Sequence, residues 1–364
     1  MLGRAAGPLP TAAKDRATRR RRRPRFTIGC RHLATSSRSS TGRRAAPFIL
    51  PNLLVAGVPK AGTTSLFHYL AQHPDICASS AKGTRYFKPL AQQGGALPDR
   101  ESYSRFFAHC RGERYRMEGT PGYSFGGERM LAAIKAMLER PRIVISLRDP
   151  VERLWSAYTF QRTKANLPGI DSFEQYISAC ERQRGRGENI VVGGHFNGVS
   201  ISMYADYLES WFTAFGDDVR IIFAEQLFSD PGGVVAELCR FLAIDDDVAT
   251  SFDYGVRNRT AHARNLALSR KAQSLKRMSD GVLKRAPALK EGLRKAYQRV
   301  NTTRDLGQSL QPATRGRLED LYRDSNLAVS ELLTSKGYDR LPEWLSPPIR
   351  ADQSNNPKKG HGVG

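Results

Sequence analysis

The sequence predicts an α/β fold of three layers, α/β/α, with a mainly parallel central sheet and helices toward the C-terminus. Three observations lead to it. Short runs that are apolar throughout alternate with segments of helical periodicity, as expected of strands covered by helices on both faces. A glycine-bearing loop joins the first such run to the first helical segment. From about Ala261 onward the apolar runs give way to basic amphipathic segments. With 364 residues, 40% of them hydrophobic, the chain can bury one sizeable core after its polar ends are set aside.

Residues 1–46 carry 13 Lys and Arg against one acid, Asp15, and so hold +12 of the formal net charge of +22. A stretch so poor in acids and apolar residues, with arginine at every position from 19 to 23, is expected to be a disordered basic leader. It suits a nucleic-acid patch, a nuclear address or an organelle transit peptide, and equally a solvated leader or an over-extended start. Residues 52–58 (NLLVAGV) then read as a buried strand. Residues 63–72 (TTSLFHYLAQ) read as a helix with Leu66, Tyr69 and Leu70 on one face. Further strands are expected at 115–118, 142–147 (RIVISL) and 219–223 (VRIIF). Helices are expected at 151–164, where Pro150 suits the start, and at 173–181, 203–215 and 231–242. Helices at 266–300 and 312–335 complete a domain spanning 47–345, and residues 346–364 form a polar tail expected to be disordered.

Five cysteines lie far apart, with no CxxC and no Cys/His cluster in the linear sequence. That usage implies a reducing compartment, no zinc site and no disulfide framework. No apolar run approaches the ~18–20 residues needed to span a bilayer, and residues 1–46 lack an apolar signal core. The expected location is cytoplasmic, or an organelle reached through the leader. Nucleic acid is not an expected partner, since only residues 19–23 speak for it, and nothing sets the oligomeric state.

The motif that carries chemistry is Gly57-Val58-Pro59-Lys60-Ala61-Gly62-Thr63-Thr64, followed by Ser65. It lies between a buried strand and a helix, where backbone N–H groups and the helix dipole make an anion site. Gly62 permits close approach, and Thr63, Thr64 and Ser65 offer hydroxyls. The spacing is P-loop-like but displaced: Thr63 stands where a nucleotide-triphosphate loop needs lysine, and Lys60 comes two residues before Gly62. No acid after an apolar strand offers a persuasive metal ligand, so no metal is expected. A second constellation follows the strand at 142–147. Arg148 ends it, where α/β folds place ligands, and its guanidinium can grip a phosphate bidentately. Ser156 lies eight residues on, in the next helix.

Together these segments resemble the sulfotransferases that use 3′-phosphoadenylyl sulfate (PAPS). The loop Pro59-Lys60-Ala61-Gly62-Thr63-Thr64-Ser65 and the stretch from Ile145 through Arg148, Asp149, Pro150 and Arg153 to Ser156 and Tyr158 are the specific matches. Segments around Tyr204–Trp211, Ile221–Pro231 and Leu321–Leu327 are similar more weakly, so the resemblance spans about residues 52–345. It implies PAPS as co-substrate, held at its 5′ end by Lys60, Ala61, Gly62, Thr63, Thr64 and Ser65. Arg148 and Ser156 would hold the 3′-phosphate, and Lys60 would stabilise the leaving oxygen. It further implies in-line transfer of a sulfuryl group to a hydroxyl or amine of a carbohydrate or small metabolite.

The nearest branch, on Lys82-Gly83-Thr84-Arg85-Tyr86-Phe87 and Glu118-Gly119-Thr120-Pro121-Gly122-Tyr123, is the heparan-sulfate-like and bacterial one. This sequence departs from it in two places. Gly83 replaces the glutamate that serves as base there, and Gly119 replaces a lysine. The proton acceptor is therefore open. Glu118, ending a strand, and His195, in a glycine-rich loop, are the candidates, whereas His68 reads as a packing residue. The basic stretch at 264–299 suits an anionic acceptor such as a polysaccharide, and equally a solvated helix face. Two other classes compete: a PAPS- or polyanion-binding protein without catalysis, favoured by Gly83 and Gly119, and a nucleotide-dependent phosphotransferase, disfavoured by the displaced Lys60.

Overall fold

The protein is described here by a computed structural model that covers residues 48–92, 94–164, 166–186, 194–255, 262–263, 302–303 and 309–346. The leader, the helix expected at 266–300 and the tail beyond Ser346 lie outside the described residues. The central sheet has five parallel strands. They are β1 (Leu53–Gly57), β2 (Ile76–Ala78), β3 (Tyr115–Glu118), β4 (Arg142–Leu147) and β5 (Val219–Phe223), in the order β2-β3-β1-β4-β5. The chain leaves β1 for the β2 edge, returns through β3, then crosses to β4 on the other side. The reversal beside β1 makes a switch point at its C-terminal end.

The helices in chain order are α1 (Thr63–Leu70), α2 (Arg100–Ser104), α3 (Glu128–Met137), α4 (Pro150–Thr163), α5 (Phe173–Gly185), α6 (Gly198–Ser202), α7 (Ala205–Phe215), α8 (Ala224–Ser229), α9 (Pro231–Leu242) and α10 (Pro312–Ser335). Their starts are written locally. The Asp149 carboxylate accepts from the N–H groups of Val151 and Glu152 ahead of Pro150, and Ser172 and Asp230 cap α5 and α9 in the same manner. A short antiparallel pair, His262–Ala263 with Thr302–Thr303, stands apart from the main sheet.

Alternation along the strands builds the three layers. Leu54 and Ala56 of β1 face a core shared with Met130, Leu131 and Ile134 of α3, Leu208 and Trp211 of α7, and Val329 and Leu333 of α10. Leu53 and Val55 face the other way, onto Leu66, Phe67 and Leu70 of α1 and Val235, Leu238 and Leu242 of α9. A third cluster joins α4, α5 and α6 to Leu318 and Tyr322 of α10. The expected α/β/α fold is thus observed.

Several expectations need correction. The helix read over 203–215 is observed as α7, which starts at Ala205, and the short α6 before it was not expected; Met203 (φ −80, ψ 77) separates the two. Helix α3 and the three-residue edge strand β2 were passed over. The cysteine reading fails in a specific way. Cys77 on β2 and Cys110, just past the 3-10 turn Arg105–Phe107, form a disulfide across 33 residues of sequence. His109 Nε2 also lies 3.4 Å from Cys77 Sγ, a Cys/His cluster hidden by linear spacing. The argument from cysteines to a reducing, cytoplasmic compartment falls with it. Among the described residues no helix is long and apolar enough to cross a membrane.

Closing a loop of that size restricts the unfolded chain. Replacing Cys77 and Cys110 together by serine is expected to lower unfolding free energy by about 2–4 kcal/mol in denaturant titration. Non-reducing peptide mapping should recover Cys77 and Cys110 on one cross-linked peptide.

Candidate functional site

The turn after β1 is fastened to β4. Ser146, buried on β4, accepts the Val58 N–H on its carbonyl at 2.8 Å and donates its hydroxyl to the Ala61 carbonyl at 2.5 Å. Between these anchors Lys60 (φ 75) and Gly62 (φ 74) both adopt left-handed backbone. A side chain at 62 would be strained by that φ and would also meet Leu227 and Phe228 at 3.0 Å. Helix α1 starts directly behind, with Thr63 and Ser65 buried and Thr64 half-buried. The turn therefore presents a helix N-terminus and hydroxyls to one small space.

Arg148, at the end of β4, closes that space from the other side. Its Nη1 donates to the Lys60 carbonyl at 3.3 Å, and its guanidinium sits 5.9 Å from the Phe228 ring centroid. Since Phe228 also walls Gly62, loop and arginine line a common cleft. The expected pairing of phosphate loop and Arg148 is brought together, and Ser156 lies on α4, buried, two turns beyond.

The cleft is short of counter-charge. Lys60 Nζ rests 4.5 Å from the Phe160 ring centroid, and none of its observed contacts is with a carboxylate. Burial, then the neighbouring Arg148, Arg153 and Lys164, lower the Lys60 ammonium to about 8. Arg153 is fully buried and spends its donors on neutral groups, Ser202 Oγ at 2.6 Å and the Gly198 carbonyl at 2.5 Å. Such a concentration of cations suits a ligand with negative charge at two ends. A nucleotide bearing 5′- and 3′-phosphates fits both the glycine cradle and the arginine.

On the β3 side lies the carboxylate expected as a base. Glu118 is 0% exposed. Its Oε1 accepts hydroxyls from Thr84, from Thr120 at 2.6 Å and from Tyr123 at 2.9 Å, and its Oε2 accepts from Tyr103. Burial raises its pKa despite these four bonds. Glu118 thus has no direct access to a bound acceptor. His195 is exposed, and the contact the structure gives it is a backbone one, its carbonyl accepting from Tyr176 at 3.1 Å.

The two glycine departures have physical causes. A Cβ on Gly119 would fall 2.7 Å from the Phe67 ring of α1, and Gly83 has φ +81 with the Gly119 carbonyl 3.9 Å from its would-be Cβ. The loop after β2 therefore closes onto β3 without side chains between them. Beside it, burial lowers Lys82 to about 8.

Sequence reasoning missed Phe160, Phe228 and Arg315. The phenylalanines are partly exposed aromatics at the cleft, 40% and 54% accessible. Exposed phenylalanines inside helical patterns read as misplaced core residues, which was the available signal. Arg315, from α10, ion-pairs with Glu152, which in turn faces Arg148 at 3.4 Å. No local pattern joins residues so far apart in sequence.

Comparison with known proteins gives consistent results. A family model described as a sulfotransferase domain matches residues 50–282. Mouse heparan sulfate glucosamine 3-O-sulfotransferase 3B1 is 32% identical over 200 residues, 54% of this chain and 46% of its own length. The Drosophila bifunctional heparan sulfate N-deacetylase/N-sulfotransferase is 26% identical over 81% of this chain and 27% of its own. The chain thus spans half or less of the length of these two relatives. A crystal structure of a sulfotransferase from Alicyclobacillus acidocaldarius superposes with a TM-score of 0.60 over 81% of this chain and 99% of that one, at 20% identity, and so shares the fold. On the extent of the domain match, which runs through both the loop after β1 and Arg148, the chain belongs to the sulfotransferase family.

Proposed function

We propose that the protein transfers the sulfuryl group of PAPS to a hydroxyl or amine of a carbohydrate acceptor by in-line displacement. The observation that carries this reading is the half-buried Lys60 ammonium without a carboxylate partner, with Arg148 docked on its backbone carbonyl. Family membership supports the donor, and the heparan sulfate enzymes among the relatives support a carbohydrate acceptor.

In this reading the N-terminus of α1, with the Thr63, Thr64 and Ser65 hydroxyls, binds the 5′ end of the donor, and Arg148 with Ser156 binds the 3′-phosphate. The donor supplies an activated sulfuryl group on a phosphate leaving group. Lys60 moves from the Phe160 face onto the bridging oxygen, where negative charge grows as the bond to sulfur lengthens. Stabilising charge that develops in the transition state is commonly the largest catalytic contribution. The two-point grip sets the register and so supplies positioning. No metal ion is assigned a part, because a sulfuryl group carries less charge than a terminal phosphoryl group and needs less neutralisation.

Incubation with ³⁵S-labelled PAPS and a panel of desulfated polysaccharides should label at least one acceptor. Lys60→Ala should lower that transfer by about 10²–10³-fold, the scale of losing one charge-stabilising donor. Binding of adenosine 3′,5′-bisphosphate (PAP) with no transfer to any acceptor would favour a non-catalytic binding protein instead.

Arg148→Ala is expected to weaken PAP affinity in calorimetry by about 10–100-fold, as for a lost charge-assisted hydrogen bond. Full-strength PAP binding by that variant would remove Arg148 from the site.

The lowered Lys60 pKa sets a pH dependence. The free protein loses the ammonium above about pH 8. Binding a dianion favours the charged form, so PAP affinity should be level below that pH and fall above it, by up to about tenfold per unit. Calorimetry from pH 6.5 to 9.5 checks this, and the slope should vanish in Lys60→Ala.

A further inference from the structure

If the chain transfers sulfuryl groups as proposed, an alcohol acceptor must lose its proton during attack. Gly83 provides no base, and Glu118 is sealed from the cleft. The cage around Glu118 supplies a route. Of the four hydroxyls that donate to its carboxylate, those of Tyr103, Tyr123 and Thr120 belong to buried residues. Thr84 alone is half-exposed. It is the single hydroxyl link between a buried proton acceptor and the outside.

Its placement is fixed by hydrogen bonds on either side of it. Ser79 N–H donates to the Met117 carbonyl at 2.8 Å, and Arg85 N–H donates to Thr120 Oγ1 at 3.2 Å. Gly83 closes on Gly119, which backs onto Phe67 of α1. Thr84 thus stands at the C-terminal end of β3, next in the sheet to β1 and its anion-binding turn.

We propose that Thr84 and Glu118 form a two-step proton relay that serves as the general base. As the acceptor oxygen bonds to sulfur, its O–H bond breaks and the proton passes to Thr84 Oγ1. The proton already on Thr84 Oγ1 passes along the existing hydrogen bond to Glu118 Oε1. The electron pair of the breaking sulfur–oxygen bond stays on the leaving phosphate oxygen, beside Lys60. After product leaves, the proton returns from Glu118 through Thr84 to solvent.

The cage suits this task. All four donors to the carboxylate are hydroxyls, and only Thr84 among them has access to open space, so a proton from outside reaches Glu118 along the Thr84 hydrogen bond. Burial raises the proton affinity of Glu118. The titratable groups facing it are Tyr103 from α2 and Tyr123 from the 3-10 turn Pro121–Tyr123. Both phenols are held well above their ordinary pKa by burial and by the carboxylate, so they stay protonated.

The test compares two acceptors in the full chain with labelled PAPS, both assayed at mildly alkaline pH: N-sulfated heparosan, whose alcohols must lose a proton, and p-nitrophenol, a phenol acidic enough to be mostly ionised there. Thr84→Val, nearly isosteric, should lower kcat on the polysaccharide by about 10²-fold or more with little change in KM. On p-nitrophenol its loss should stay under about tenfold, and Thr84→Ser should recover the polysaccharide activity, because the relay needs only the hydroxyl. Glu118→Gln should show the same split between acceptors. Equal losses on both acceptors, or polysaccharide activity of Thr84→Val close to wild type, would overturn the relay and leave sulfuryl transfer standing. So would a selective polysaccharide loss in Lys82→Ala but not in Thr84→Val. Wild-type protein that binds PAP and labels neither acceptor would overturn the transfer reading itself, and the relay with it.

Discussion

Ser146 holds the turn after β1 by two bonds, one from its carbonyl and one from its hydroxyl, and much of the site depends on that attachment. A loop whose carbonyl at Ala61 is tied back to β4 must send its N–H groups forward. The same tie brings Lys60 against Arg148, because both occupy adjacent strand ends at the switch point. Two cations are thereby forced together in a partly dry space. The fold tolerates this through surrounding packing, and the stored repulsion is relieved when an anion enters.

Electrostatic order extends outward from that pair. Glu152 faces Arg148 from the next turn of α4, and Arg315 on α10 holds Glu152 from the far side. Arg148 is only part-paired, so it stays oriented without being neutralised. Part-exposed pairs of this kind contribute modestly to stability, and their value here is directional. The β3 side follows an opposite logic. One carboxylate is enclosed by four neutral hydroxyls, with no charged side chain among its partners. Positive charge is thus gathered at the turn after β1, and an enclosed carboxylate is kept at the end of β3.

The fold was legible where sequence and local physics coincide. Residues 53–57, 142–147 and 219–223 are largely buried on both faces, so each reads as a mainly apolar run. Strand β2 has three residues and no such run, and α3 mixes charges into its period, so both escaped. The anion site was legible for a related reason: turn, glycine and lysine lie within eight residues. Glu118 was found as a residue, but its enclosure was not, because Tyr103 and Thr84 approach it across 15 and 34 positions of chain. The cysteine reading failed in the same way: Cys77 and Cys110 meet because the turn after α2 returns to the end of β2, where Ser80 N–H donates to the Phe106 carbonyl at 2.9 Å.

Arg315 lies beyond residue 282, where the match to the family model ends, yet it braces Glu152, the carboxylate that faces Arg148. Grafting the β1 turn and β4 arginine alone into another scaffold would transfer the ligands and omit their brace. The setting of Arg148 is thus shared between β4, α4 and α10, elements far apart in the sequence.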